Sequence, residues 1–178
     1  MNSGDLAPDF SLKGVDGETY SLNSFKDANA VVIFFSCNHC PYVKAYEPRL
    51  IDLQADYRKQ GVQFAAINSN DAATYPEDSF ENMVKRAKER GFNFPYLQDE
   101  SQDVARAYGA SHTPHLFLFD QKRRLAYTGK IDDNWEKPQS VTQRFLRDAL
   151  DDLLAGKKPR LAETHAIGCT IKWKRLDN

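Results

Sequence analysis

The chain has 178 residues, 41% of them hydrophobic and 28% charged, with a formal net charge of −1 and three cysteines. That suits one globular domain, 1–178, with a sizeable core; no basic excess, Gly-rich phosphate loop or basic aromatic face speaks for nucleic-acid binding. Residues Met1 to Gly14 carry no leader-like pattern and no apolar run nears the roughly 18 residues of a membrane span, so the expected protein is soluble and cytoplasmic, with no nucleic-acid or membrane partner.

In chain order, DFSLKGVDGETYSL reads as two short strands joined by the turn signal Asp16-Gly17, an N-terminal β-hairpin within 1–25. Val31 to Ser36 is a continuous β-branched and aromatic run, as in a strand buried on both faces. Two cysteines, Cys37 and Cys40, follow, and Pro41 suits a first helical turn. Val43, Tyr46, Leu50, Leu53 and Tyr57 then recur at helical spacing until Gly61, with Pro48 marking a bend. VQFAAINS is a second buried strand. A polar loop through Pro76 leads to a helix expected to open at Asp78, with Glu81 three residues on in a capping-box pattern. A short helix near Gln102 to Tyr108 precedes TPHLFLFD, which pairs with RRLAYTGKID as a hairpin. Val141 to Leu154 is a last amphipathic helix stopped by Gly156. In the tail, 156–178, the stretch AIGCTIKWK alternates Ile171 and Trp173 with Lys172 and Lys174, so it is expected to pack back on the domain. Alternating strands and helices, then a hairpin and a helix, give an α/β architecture with helices on both faces of the sheet.

This order, with Cys37-x-x-Cys40 at a helix start and Thr113-Pro114 entering a later strand, resembles the thioredoxin superfamily over most of the chain. The opening GDLAPDFSLKGVDGETYSL resembles the start of peroxiredoxins, the alkyl hydroperoxide reductase/thiol-specific antioxidant (AhpC/TSA) proteins, and IGCTIKWK resembles the tail of a peroxiredoxin-like group with a thioredoxin-type cysteine pair. The resemblance implies a thioredoxin-like fold with a central mixed β-sheet, antioxidant or disulfide chemistry, and a cis proline at Pro114 facing the disulfide. It also implies that the backbone before Pro114 receives a substrate segment as an added strand.

A thiolate is the nucleophile of disulfide exchange, and a helix N-terminus stabilises that anion. Cys37 is therefore expected to be the more exposed and more acidic thiol, with Cys40 one turn on to resolve the mixed disulfide. Asn38, Thr113 and Pro114 are expected beside the pair, and His39, if protonated, adds positive charge. Cys169 is either a buried structural cysteine or a third redox thiol. Tyr75, Asn68 and Asn70, after the neighbouring strand, read either as plain loop residues or as residues approaching the site, and Glu47 either as a solvated helix-face carboxylate or as a proton acceptor for Cys40.

Peroxiredoxin chemistry needs a P-x-x-x-T/S-x-x-C pattern and an activating arginine. With Cys40 as the peroxidatic thiol, Ile33 stands at the proline, Cys37 at the threonine, and Pro114-His115 near the arginine. The expected function is thus a thiol–disulfide oxidoreductase acting on a protein or small-molecule disulfide, with an unknown electron donor, no cofactor and no metal. The alternatives are a peroxidase using Cys40 and a non-catalytic copper-binding protein using Cys37, Cys40, His39 or His115.

Overall fold

The structure, a computed structural model, describes residues 1–175; the last residues of the expected tail, 176–178, lie outside them. A seven-stranded mixed sheet is built from β1 (Leu12–Gly14), β2 (Thr19–Tyr20), β3 (Ala30–Ser36), β4 (Val62–Asn68), β5 (Tyr96–Gln98), β7 (His115–Phe119) and β8 (Leu125–Gly129), in the order β2-β1-β5-β4-β3-β7-β8. β3, β4 and β5 run parallel, while β7 pairs antiparallel with β3 and β8 with β7. The N-terminal hairpin joins the sheet itself, because β1 pairs antiparallel with β5. That three-residue strand, β5, carries no period of its own and was not read from the sequence.

The run at β3 explains its central place. Ala30, Val32 and Phe34 face one apolar layer, and Val31, Ile33 and Phe35 face the other, each large side chain contributing about 1.5 to 3 kcal/mol on full burial. The first layer is closed by α1 (Pro41–Tyr57), α2 (Phe80–Arg90) and α4 (Phe145–Leu154), and the second by α3 (Asp103–Tyr108) with Phe10 and Phe25. Val43, Tyr46, Leu50, Leu53 and Tyr57 of α1 are all buried, as their spacing predicts. Helices therefore cover both faces.

Two helix starts differ from expectation. α2 begins at Phe80 with Ser79 as its cap, accepting from the Asn82 N–H at 3.2 Å; Asp78 is buried and engaged elsewhere. α4 begins at Phe145, four residues late. The Asp133 carboxylate accepts from the Thr142 N–H at 2.9 Å, and the Asp133 N–H donates to the Gln143 carbonyl at 3.2 Å, which holds this link out of the helix.

The tail doubles back along the domain. The Thr164 N–H donates to the Thr128 carbonyl and the Thr128 N–H to the Ala162 carbonyl, beside Gly129, where a Cβ would meet the Thr164 hydroxyl at 2.1 Å. Further on, β9 (Cys169–Thr170) pairs antiparallel with β6 (His112–Thr113). Ile171 is buried at 3% exposure, but Trp173 remains 40% exposed, its ring 5.4 Å from the Arg106 guanidinium. The alternation thus buries one of its two apolar residues.

Candidate active site

β3 ends at Ser36, and the chain passes through Cys37, Asn38 and His39 before α1 starts. Cys40 is the residue capping α1, with Pro41 at the first helical position. The helix N-terminus therefore lies at Cys40, one turn later than expected, and its field acts on that sulfur. Cys37 and Cys40 are each 1% exposed, so Cys37 is not the more exposed of the two. Thr113 sits against both: its hydroxyl lies 3.6 Å from Cys37 Sγ and its carbonyl oxygen 3.4 Å from Cys40 Sγ. The Thr113–Pro114 bond is cis.

The two thiols lie in one buried cluster, and their surroundings favour ionisation of one over the other. Cys37 is pushed up by its bond to Cys40, by burial and by the Asp78 carboxylate, with the Thr113 hydroxyl opposing. Cys40 is pulled down to about 4 by the Cys37 thiol, then by the Cys169 thiol and the N–H groups of Val43 and Cys169, against burial. The Thr113 carbonyl works against a thiolate at Cys40, but four donors outweigh one acceptor. The charge of the singly ionised pair rests on Cys40, the reverse of the expected order.

Asp78 organises the other side of the pair. Its Oδ1 accepts from the Asn38 N–H at 2.8 Å and from Asn68 Nδ2 at 3.1 Å, and its Oδ2 accepts from Asn70 Nδ2 at 3.0 Å. His39 Nδ1 lies 3.0 Å from the same Oδ2 without hydrogen-bond geometry, and its Nε2 lies 4.0 Å from the Glu77 carboxylate. Asn38 is further held by the Glu77 carbonyl and by the Tyr96 hydroxyl, which also meets Asn68. Asn68 and Asn70 are thus buried parts of this network at the site and not plain loop residues. The signal for them is the abrupt polar run Asn68-Ser69-Asn70-Asp71 at the end of a buried strand. Cys37, His39 and Asp78 also offer ligand atoms within 4.8 Å of one another.

The remaining candidates fall into place around this centre. His115 stacks on Phe117, accepts from the Ser111 N–H at Nδ1 and meets the Thr128 hydroxyl through Nε2; burial above all holds it down at about 4, so it is a neutral, satisfied residue. Tyr75 contributes backbone bonds only, to Asp71 and Asp78. Glu47 is not solvated: it is 4% exposed and paired with Arg86, whose Nε donates at 2.9 Å. Cys169 packs on Cys37, Cys40 and Val43.

A buried cysteine pair at the start of the helix that follows the central strand, facing a cis proline, defines a thioredoxin-fold thiol–disulfide oxidoreductase. Comparison with known proteins gives the family: the chain belongs to the AhpC/TSA family, whose model matches residues 3–128. Among curated relatives it is 28% identical over 122 residues to the thiol-disulfide oxidoreductase ResA of Geobacillus thermodenitrificans, covering 68% of this chain and 66% of that one. It is 29% identical over 109 residues to the chloroplastic peroxiredoxin Q of Triticum aestivum, covering 61% and 46%. Two solved structures match nearly the whole chain, each at a TM-score of 0.92: a conserved protein of Geobacillus kaustophilus, 47% identical over 99% of this chain and 94% of that one, and a protein of Sinorhizobium meliloti 1021, 42% identical over 98% and 96%.

Proposed function

We propose that Cys37 and Cys40 exchange with a substrate disulfide, protein or small molecule, with Asn38, His39, Thr113 and Pro114 shaping the site. In the reducing direction the Cys40 thiolate attacks one substrate sulfur to give a mixed disulfide. The Cys37 thiol, freed of its proton, then attacks Cys40, closing the Cys37–Cys40 bond and releasing the substrate as two thiols. The observation that carries this reading is the pair of buried sulfurs that both meet one residue, Thr113.

The strand position before Pro114 bears on the substrate. It was expected to be open to an added strand, yet β9 already pairs there, Cys169 opposite Thr113. An extended protein segment has to displace β9, whereas a small disulfide has only to reach the sulfurs.

Insulin reduction measured beside hydroperoxide consumption tests the proposal. Insulin reduction that disappears in both Cys37→Ser and Cys40→Ser supports it. The AhpC/TSA membership favours a second reading, peroxide attack by Cys40, but no arginine among the described residues hydrogen bonds to either sulfur. Hydroperoxide turnover that needs Cys40 and not Cys37 would establish that second reading. Stoichiometric copper in protein purified without oxygen would favour the binding-protein reading through Cys37, His39 and Asp78.

A further inference from the structure

The tail does more than cover the sheet: it delivers a third thiol to the pair. In the antiparallel register Cys169 stands opposite Thr113, the residue that touches both redox sulfurs. Directly opposed residues in such a ladder have Cα atoms about 4.5 to 5.5 Å apart. Gly168 lets the tail come this close, because a Cβ there would lie 2.0 Å from the Thr113 carbonyl oxygen. The segment is held by polar anchors on both sides: the Ile171 N–H donates to the Ser111 carbonyl, the Lys172 N–H to Asn70 Oδ1, and the Lys174 N–H to Gln102 Oε1. Gln102 Nε2 in turn donates to the Lys172 carbonyl. Asn70 also bonds Asp78, so one network fixes both the tail and the pair.

We propose that Cys169 is a third redox thiol of this site and that Cys40 is its partner, so that Cys40 bridges to Cys37 in one oxidised form and to Cys169 in another. The inference rests on the Cys37–Cys40 disulfide of the proposed function. From that disulfide, the Cys169 thiolate attacks the Cys40 sulfur; the Cys40–Cys169 bond forms and the Cys37–Cys40 bond breaks. Cys37 leaves as a thiolate and takes up the proton that Cys169 lost. The exchange moves no electrons out of the protein and needs no added oxidant. Burial, and then the hydrogen bond to and charge of the Cys40 thiolate, hold the Cys169 proton up at about 11, with Lys172 opposing. Oxidation of Cys40 removes that charge, so Cys169 ionises more readily when there is a disulfide to attack.

A cysteine kept only for packing makes no such prediction about connectivity. The test oxidises native Cys37→Ser with diamide, quenches in acid, alkylates free thiols and maps disulfides by mass spectrometry of a non-reduced digest, with circular dichroism confirming the fold and Cys37→Ala as a second variant. The expected product is an intramolecular Cys40–Cys169 bridge, while Cys40→Ser gives about ten-fold less Cys37–Cys169 bridge, because Cys169 hydrogen bonds to Cys40 and not to Cys37. If both Cys37 variants keep free thiols, or form only dimers, under conditions that close Cys37–Cys40 in the unaltered protein, the inference is overturned and the proposed function stands. If the unaltered protein closes no Cys37–Cys40 bridge, it is the proposed function that fails.

Discussion

Replacing Asp78 with Asn removes a buried charge within 4.8 Å of the Cys37 sulfur at nearly constant shape. Two unit charges at that separation interact by about 3.5 kcal/mol at an effective dielectric of about 20, or about 2.5 pKa units. Asn38, Asn68, Asn70 and His39 surround the carboxylate and offset part of its field, so a shift of about 1 to 2 units is expected in the substitution. Because Cys37 and Cys40 are interacting thiols, the pair titrates in two steps, and the step that strips Cys37 falls the more. Stabilising the reduced, negatively charged pair also raises its reduction potential, by up to about 30 mV for each 1.4 kcal/mol. One of the three asparagine donors loses its acceptor, at a cost of about 1 to 3 kcal/mol in unfolding free energy. Ultraviolet thiolate titration gives the pKa values, and equilibration with glutathione gives the potential. An unchanged upper pKa, or a potential that falls, would refute a part for the Asp78 field, beside Cys40 and burial, in raising Cys37.

Other predictions follow from the same geometry. His39→Pro removes the imidazole that lies against Asp78, leaving the carboxylate field less opposed, so the potential should fall; glutathione equilibration that gives an equal or higher value contradicts this. Iodoacetamide should label Cys40 before Cys37 in the reduced native protein, and should still do so near pH 5, because the Cys40 thiolate persists down to about 4; peptide mapping that finds Cys37 first reverses the charge assignment. His115 is held at about 4 against an ordinary 6.5, so between those values the unfolded chain binds the extra proton. Stability should therefore be full above pH 6.5 and fall as the pH drops toward 4, by at most about 1.4 kcal/mol per pH unit from this group. Urea unfolding across that range should show a shallower slope in His115→Gln.

Much of this architecture can be read locally. The run before Cys37, the placement of Pro41 and the apolar face from Val43 to Tyr57 follow from period and propensity, and the alternation around Ile171 announces a tail that folds back. What escapes local reading is long-range. Asp78 looks like a helix cap because it precedes an amphipathic pattern, yet Ser79 takes that role, and only the convergence of β3, β4 and the loop after it turns Asp78 toward Cys37. Glu47 and Arg86 lie on different helices, so no spacing along α1 shows that the carboxylate is buried. The pairing of Thr113 with Cys169 spans the hairpin and the last helix. It shifts both the acidity of Cys40 and the availability of the strand edge.

The central claim is that Cys37 and Cys40 form one reversible two-electron couple. A redox titration of Cys169→Ser, in which Cys40 has only Cys37 to pair with, in graded glutathione buffers, with alkylation and peptide mapping at each point, tests it most directly. The account predicts that Cys37 and Cys40 lose their thiols together in a single transition, tenfold in the equilibrium constant for about 30 mV. Thiols at Cys37 and Cys40 that titrate independently, or that persist where glutathione disulfide is in large excess, would contradict it.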